Sequence, residues 1–370
     1  MSTKLNVILI FGGKSGEHAV SLMSATSVLS ALDPEKYNVF QVGITREGRW
    51  TYAENALEIF TNGQAEPLND AFILARNETP YLYELVDGQL HEVTPIDIVF
   101  PILHGTFGED GTIQGLFEIQ NCAYVGAGVL ASSVAMDKAL CKDVVSKAGI
   151  PVLPYAIFSR QQIEKDLPAV IESAEEISAY PVFVKPANLG SSVGISKAKN
   201  RAQLQDALLL AARYDRRILV ERGIQPREIE ISVLGNEEIM VSQPGEIVPG
   251  DEFYTYKDKY HSGDPETAIP APLPDQVTEQ LRTWAVQTFR AIDGAGLARV
   301  DFLIDKNSGE AWFNEINTMP GFTQISMYSK LLAYSGLSYK QLIDRLIELG
   351  LERKADQGRT LRKFEVDNEE

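Results

Sequence analysis

Arg299, Asp301, Glu315 and Asn317 have the types and the spacing to do chemistry. They lie in two apolar stretches, RVDFLID and AWFNEIN, separated by the polar segment KNSGE. The pattern reads as a β-hairpin, with Asp305 paired to Ala311 across the turn. That register sets Asp301 opposite Glu315 and Arg299 opposite Asn317, all on one face, because strand side chains alternate with period two. Opposed carboxylates stand ~5 Å apart at Cβ and repel, so the pair calls for a cation. Hard oxygen donors of this kind suit Mg²⁺, which takes few carboxylates and completes its shell with water and phosphate. An acidic hairpin whose charges are simply solvated has the same pattern, and the spacing leaves both readings open.

The elements that must position such a hairpin can be read along the chain. LNVILIF is short, apolar and β-branched, as a buried parallel strand is. A glycine loop, a helix to about Leu32 and the strand YNVFQVGIT follow, which gives a β–α–β opening. Residues 50–95 look irregular apart from a candidate hairpin, TPYLYELVDGQLHEVT. IDIVFPILHG is a further buried strand, 111–120 a helix, CAYVGAG a strand, and SSVAMDKALCKDVVSKAG a single helix stopped by Gly149. Pro151 and Pro154 mark a boundary. A compact β/α unit spans 155–222, and from 228 the chain reads mostly as strand. A helix over about 275–292 leads into the hairpin. Another, over about 323–335, precedes one opened by the capping box Ser338-x-x-Gln341. The segment 249–270 is polar and carries little periodicity.

Four glycine-rich loops could meet an anion. Gly12-Gly13-Lys14-Ser15-Gly16 contains the GKS of a P-loop, but Ile8 stands where the first glycine of that motif belongs, which breaks it. The loop still presents a helix N-terminus, with Glu17 beside it as a dipole partner or as a holder of a substrate ammonium. Gly126-x-Gly128-x-x-Ala131 matches a dinucleotide fingerprint but has no acidic residue about twenty positions on. HGTFGEDG (104–111) follows a buried strand. Lys185-Pro-Ala-Asn-Leu-Gly190-Ser-Ser-Val-Gly194 places a lysine at a strand end before a turn of glycines and hydroxyls, the chemistry of a phosphate cover. For the third and fourth loops an ordinary solvated turn is the competing reading.

The chain has 370 residues, 44% hydrophobic and 23% charged, with a formal net charge of −17. It has room for two or three domains, and its charge disfavours a nucleic-acid partner. Cys122 and Cys141 form no CxxC pair and the four histidines show no ligand spacing, so neither a disulfide framework nor a zinc site is expected. Val7 to Phe11 is too short an apolar run for a signal peptide or a membrane span. A cytoplasmic protein is expected, with no membrane partner.

Seven segments in order are similar to the D-alanine–D-alanine ligases of the ATP-grasp superfamily: GGKSGEHAVS, HGTFGEDGTIQG, MDKALCK, VKPANLGSSVGIS, EFYTYKDKY, RVDFLID and NEINTMPGFTQIS. The resemblance runs from residue 7 to about 350. It implies an α/β fold, α+β in its C-terminal part, with three domains: an N-terminal parallel-sheet domain (1–131), a central ATP-grasp lid (132–222), and a catalytic domain (223–370) whose loop 249–270 closes over the site. It implies joining of two D-alanines with ATP as co-substrate, two Mg²⁺ ions (or Mn²⁺) and a homodimer. Metal ligands carry over to Asp301, Glu315 and Asn317. Arg299 and the Gly321 N–H would face the developing oxyanion. Lys138, Lys185 and Ser192 would meet ATP, with Lys259 on the transferred phosphate, Glu221 at the adenine hinge and Glu228 on the ribose. Glu17 would hold the first D-alanine's ammonium and Ser326 the second's carboxylate, while Ser191 and Tyr260 join Glu17 in closing the site. His104 is either near substrate or only a stabiliser of its loop. Thr255 stands where the family often has Asp, and Asn188 and Leu189 where it often has more polar residues. Tyr260, where ester-forming relatives carry Phe, favours an amine as second substrate. A ligase forming D-alanyl-D-lactate, a non-catalytic nucleotide-binding regulator and a dinucleotide oxidoreductase remain the competing readings.

Overall fold

The N-terminal strands are laid down by the apolar runs read above. In the computed structural model, which describes residues 4–65, 68–190, 193–248 and 266–361, β1 (Leu5–Gly12) leads through α1 (His18–Ala31) to β2 (Tyr37–Ile44). Then come β3 (Trp50–Tyr52), α2 (Ala56–Thr61), β4 (Asn69–Arg76), β5 (Thr79–Val86), β6 (Gln89–Pro95), β7 (Ile98–Ile102) and α3 (Thr112–Ile119). β1 lies between β2 and β7 and is parallel to both. Its residues Val7 to Phe11 have no exposed surface, as expected of a strand covered on both faces.

The stretch 50–95 is more regular than its sequence suggests. β3 to β6 extend the sheet as an antiparallel meander, giving the order β6-β5-β4-β3-β2-β1-β7. The β5–β6 turn is the predicted one: Asp87 and Gly88 both have positive φ, as a tight hairpin turn requires. CAYVGAG, expected as a strand, makes only an isolated parallel bridge, Val99 to Tyr124. Gly126, at φ 101°, turns the chain away before a ladder can form.

The expected single helix over 132–148 is two helices. α4 (Val129–Met136) ends at Asp137, and α5 (Lys138–Lys147) starts there. Asp137 takes extended backbone geometry and its carboxylate accepts from the N–H groups of Ala139 and Leu140, which is how an aspartate opens a new helix. Val134, Ala135, Cys141 and Val145 pack with strands further on, into one core with Ile231, Phe302 and Phe313.

The four-stranded sheet has its own core. β8 (Tyr155–Ser159), α6 (Arg160–Lys165), α7 (Leu167–Glu175), β9 (Val182–Pro186), β10 (Ser196–Ala198), α8 (Arg201–Tyr214) and β11 (Arg217–Arg222) follow in order, with strand order β10-β9-β11-β8. Val182, Val184, Ile218 and Val220 face the helices, so Phe183, Lys185, Leu219 and Glu221 face the other way. That core draws only on residues within 156–220. α5 and most of α4, within the range 132–222 expected for the central domain, pack on the next sheet.

That sheet holds β12 (Pro226–Gly235), β13 (Ile239–Val241), β14 (Gly245–Val248) and β15 (Glu266–Ala268). After α9 (Asp275–Ala291) come β16 (Gly296–Asp305), β17 (Ala311–Asn317), α10 (Met327–Tyr334) and α11 (Tyr339–Gln357). Ser338 and Gln341 form the predicted capping box. α10 and α11 return to the N-terminal sheet: Tyr328, Leu346 and Ile347 share a core with Val7, Phe11 and Phe100. Tyr37 donates to Asp344 at 2.8 Å, and Lys36 pairs with the same carboxylate at 2.7 Å. The chain's first sheet and last helix are thereby one packed body. No helix among the described residues is long and apolar enough to cross a membrane.

Candidate active site

The hairpin β16–β17 lies beside β12, and the three strands align polar and charged residues in two rows. Glu230, Asp301 and Glu315 form one row, and Ser232, Arg299 and Asn317 the next. The expected pairing of Asp301 with Glu315 is present, but the expected turn register is not. Ile304, not Asp305, stands opposite Ala311, and a bulge between Asp301 and Phe302 restores the phase. The extra residue on β17 is Asn314. Without it, Glu315 and Asn317 would shift by one and turn to the opposite face.

Arg299 answers the row of acids. It donates to both oxygens of Asp301 at 2.7 Å and lies 3.1 Å from Glu230. Burial alone would lower its pKa, but Asp301 and then Glu230 hold the guanidinium firmly charged. Asn317 donates to Asp301 at 3.1 Å. Lys138, at the first position of α5, donates to the Leu189 carbonyl at 2.6 Å and lies 3.9 Å from Glu315. Among the described residues no three carboxylate, imidazole or thiolate groups converge on a metal position. Two carboxylates and one amide oxygen on one face therefore do not fit an all-protein cage. They do fit Mg²⁺ whose remaining ligands are phosphate and water.

A cavity of about 430 Å³ opens over this face. Glu17, Lys138, Arg299, Glu315, Asn317, Gly321 and Ser326 all line it, so the structure brings together predicted residues up to 309 positions apart (326 − 17). Glu17 stands at the start of α1 and makes no capping bond with its side chain. Its carboxylate fits because a Cβ at Gly105 would come within 2.4 Å of it, and one at Gly190 within 3.3 Å. Ser326 accepts the Thr323 N–H at 3.0 Å. Asp301 sits beneath Arg299, 8% exposed, off the cavity lining. Glu228 is half-buried on β12, also off the lining. Ser191, Ser192, Lys259, Tyr260 and residues 249–265 of the segment 249–270 lie outside the described residues.

Sequence reasoning missed two participants, Glu109 and Glu230, which line the cavity; His104, whose role was left open, lines it too. His104 donates from Nδ1 to the Met319 carbonyl at 3.0 Å, since a carbonyl can only accept. Its Nε2 then accepts from Ser24 Oγ at 3.0 Å, and Ser24 Oγ accepts the Phe322 N–H at 3.3 Å. Burial keeps the ring neutral by pushing its pKa down. Glu109 accepts the N–H groups of Gly105 at 2.6 Å and Met319 at 3.2 Å. Burial, then the charge of Glu17, pushes its carboxyl up to about 8. These contacts pin residues 319 and 322 and leave Gly321 between them; no described group accepts its N–H. For Glu230, the alternation Glu228-x-Glu230 in an apolar strand was the available signal.

Glu221, expected at the adenine hinge, lies in a buried ion-pair cluster. It is 1% exposed, paired with Lys185 and lying 3.1 Å from Lys142. Burial would push its carboxyl up, but Lys142 and then Lys185 outweigh this and hold it down at about 2.

The family profile described as D-ala D-ala ligase N-terminus matches residues 6–127, and that described as D-ala D-ala ligase C-terminus matches residues 144–348. A D-alanine–D-alanine ligase of Acetivibrio thermocellus is 47% identical over 371 aligned positions, covering 96% of this chain and 98% of that protein. One of Heliobacterium modesticaldum is 49% identical over 356, covering 96% and 97%. Among solved structures, the VanG D-Ala:D-Ser ligase of Enterococcus faecalis superposes with a TM-score of 0.84 at 34% identity, covering 94% of this chain and all of that one. The D-alanine–D-alanine ligase of Coxiella burnetii does so with 0.82 at 34%, covering 97% of each. The mixed α/β arrangement is that of the ATP-grasp fold. With both profiles matched in order along one body, the chain belongs to the D-alanine–D-alanine ligase family.

Proposed function

We propose that this protein joins two D-alanines to D-alanyl-D-alanine, consuming ATP and releasing ADP and phosphate, as a step in making peptidoglycan precursors. The observation that carries the reading is the convergence on one cavity of Glu17, Lys138, Arg299, Glu315, Asn317, Gly321 and Ser326. A carboxylate is a poor acyl donor, so the first D-alanine is activated as an acyl phosphate before an amine attacks it. Glu17 holds that substrate's ammonium at the mouth of α1. Lys138 and Lys185 offset phosphate charge, and Asp301, Glu315 and Asn317 hold Mg²⁺. When bound, the metal neutralises phosphate oxygens during transfer. Ser326 positions the second D-alanine by its carboxylate, and its amine attacks in the neutral form. Arg299 and the Gly321 N–H are preorganised donors for the resulting oxyanion. Segment 249–270 excludes water from the acyl phosphate. The protein works in the cytoplasm as a homodimer, as the resemblance implies, and its two cysteines are buried and unpaired, in keeping with a reducing compartment.

The testing assay contains ATP, Mg²⁺ and D-alanine, with phosphate and dipeptide measured together. Equal yields of both are expected; phosphate without dipeptide would overturn the reading. Because a D-Ala:D-Ser ligase shares the fold, D-serine and D-lactate are offered in competition, and D-alanyl-D-alanine is expected to dominate.

A further inference from the structure

Lys142 has no place in the reaction as described, yet it is among the largest fully buried side chains, 1% exposed. It lies one helical turn beyond Lys138 on α5, so both lysines share a face. Its ammonium lies 3.1 Å from Glu221 Oε2, an ion pair without an aligned hydrogen bond, and no other described group accepts from it. The other oxygen of Glu221 is taken by Lys185. Leu219 stands opposite Lys185 and Phe183 opposite Glu221, so Lys185 and Glu221 are diagonal neighbours on the sheet face turned from its core. Lys142 reaches them from a helix packed on the other sheet. A buried lysine with a single carboxylate partner is costly to keep, so its retention asks for a reason.

Charge supplies one. Lys185 and Glu221 alone would be a closed neutral pair, and Lys185 would bring no net charge to a phosphate. With Lys142 on the second oxygen, the cluster carries a net charge of one positive unit. We propose that Lys142 is a positioning residue of the nucleotide site: by holding one oxygen of Glu221 it leaves Lys185 with charge for a phosphate group of the nucleotide. The inference rests on the reading of the cavity as an ATP site.

The experiment titrates Mg·ADP calorimetrically into the wild-type protein, Lys142→Met, and the double variant Lys142→Met with Glu221→Gln, and measures KM for ATP and for D-alanine. Lys142→Met weakens Mg·ADP and raises KM for ATP by about tenfold or more, the equivalent of one pKa unit of charge interaction, and leaves KM for D-alanine unchanged. The double variant restores the net charge and regains most of the affinity. Wild-type affinity in Lys142→Met would overturn the proposal. So would a double variant as weak as the single one, because the loss would then belong to packing. Should Lys142→Met fail to fold, the double variant decides alone: affinity near the wild type supports the charge count, and loss of binding overturns it. Wild-type protein that does not bind Mg·ADP would instead overturn the nucleotide reading itself.

Discussion

Arg299 grips both carboxylate oxygens of Asp301 at 2.7 Å, two residues further along its own strand, and reaches Glu230 from the neighbouring strand at 3.1 Å. The guanidinium proposed to meet the oxyanion is therefore oriented by a carboxylate proposed to hold metal. Asp301→Asn should remove both functions together. Turnover is expected to fall by at least about a hundredfold, the scale of a lost oxyanion donor, and stability by about 1–3 kcal/mol, since a charged hydrogen-bonded partner is lost while Glu230 remains. Glu315→Gln should match the loss of turnover with a smaller loss of stability, its ion pair with Lys138 being 3.9 Å long. Phosphate release and thermal unfolding measure the two effects. Normal turnover in Glu315→Gln would remove the hairpin from the metal site.

Glu109 makes stability depend on pH in an unusual direction. Its carboxyl is pushed up to about 8 by burial and then by Glu17, against the pull of two backbone N–H groups. Between its ordinary value near 4.5 and about 8, the folded protein keeps a proton that the unfolded chain releases. Stability from this group is complete below the lower value and is lost as pH rises through the upper one. Glu109→Gln should therefore flatten the fall of Tm across that window. Parallel curves for the two proteins would show that Glu109 titrates as an ordinary carboxylate.

Asp137 does two jobs at the break between α4 and α5. One oxygen accepts from the N–H groups of Ala139 and Leu140 at 3.1 and 2.9 Å. The other accepts from Asn188 at 3.0 Å and pairs with Arg217, which ties the glycine-rich loop to the helix that carries Lys138. Asp137→Ala should cost about 1–2 kcal/mol as a lost cap and should raise KM for ATP, while Asp137→Asn keeps the cap and much of the affinity. Denaturant unfolding alongside nucleotide titration separates the two. An unchanged KM in Asp137→Ala would confine the residue to helix capping.

How much could be read from sequence follows from which contacts are local. The pairing of Asp301 with Glu315 was legible because period two carries across a hairpin. Its turn register was not, since nothing in the side chain of Asn314 announces a bulge. β1 and β7 were legible from uninterrupted apolar runs and β5–β6 as a hairpin, whereas β4 is mostly exposed and resembles a loop in composition. Glu221 was expected at the adenine hinge because the resemblance implies it. Its commitment to Lys142 depends on packing between two sheets, which no spacing within either segment encodes. The same holds for His104, whose partners lie 80 and 215 positions away.

Those distant partners give the last prediction. The loop bearing Gly321 belongs to the C-terminal part of the chain but is held by the N-terminal part: Met319 by His104 and Glu109, Phe322 by Ser24. Ser24→Ala removes both the acceptor for the Phe322 N–H and the donor to His104 Nε2. The Gly321 N–H then loses its fixed aim at the oxyanion, and kcat should fall by about 10–100-fold, less than the loss expected when a donor is deleted outright. KM for ATP should hold, because Lys138 and Lys185 sit on other elements. Ser24→Thr keeps a hydroxyl at the same atom and should recover most of kcat. If Ser24→Ala turns over like the wild type, the loop keeps its place without the N-terminal part, and the oxyanion reading of Gly321 loses the anchor argued for it.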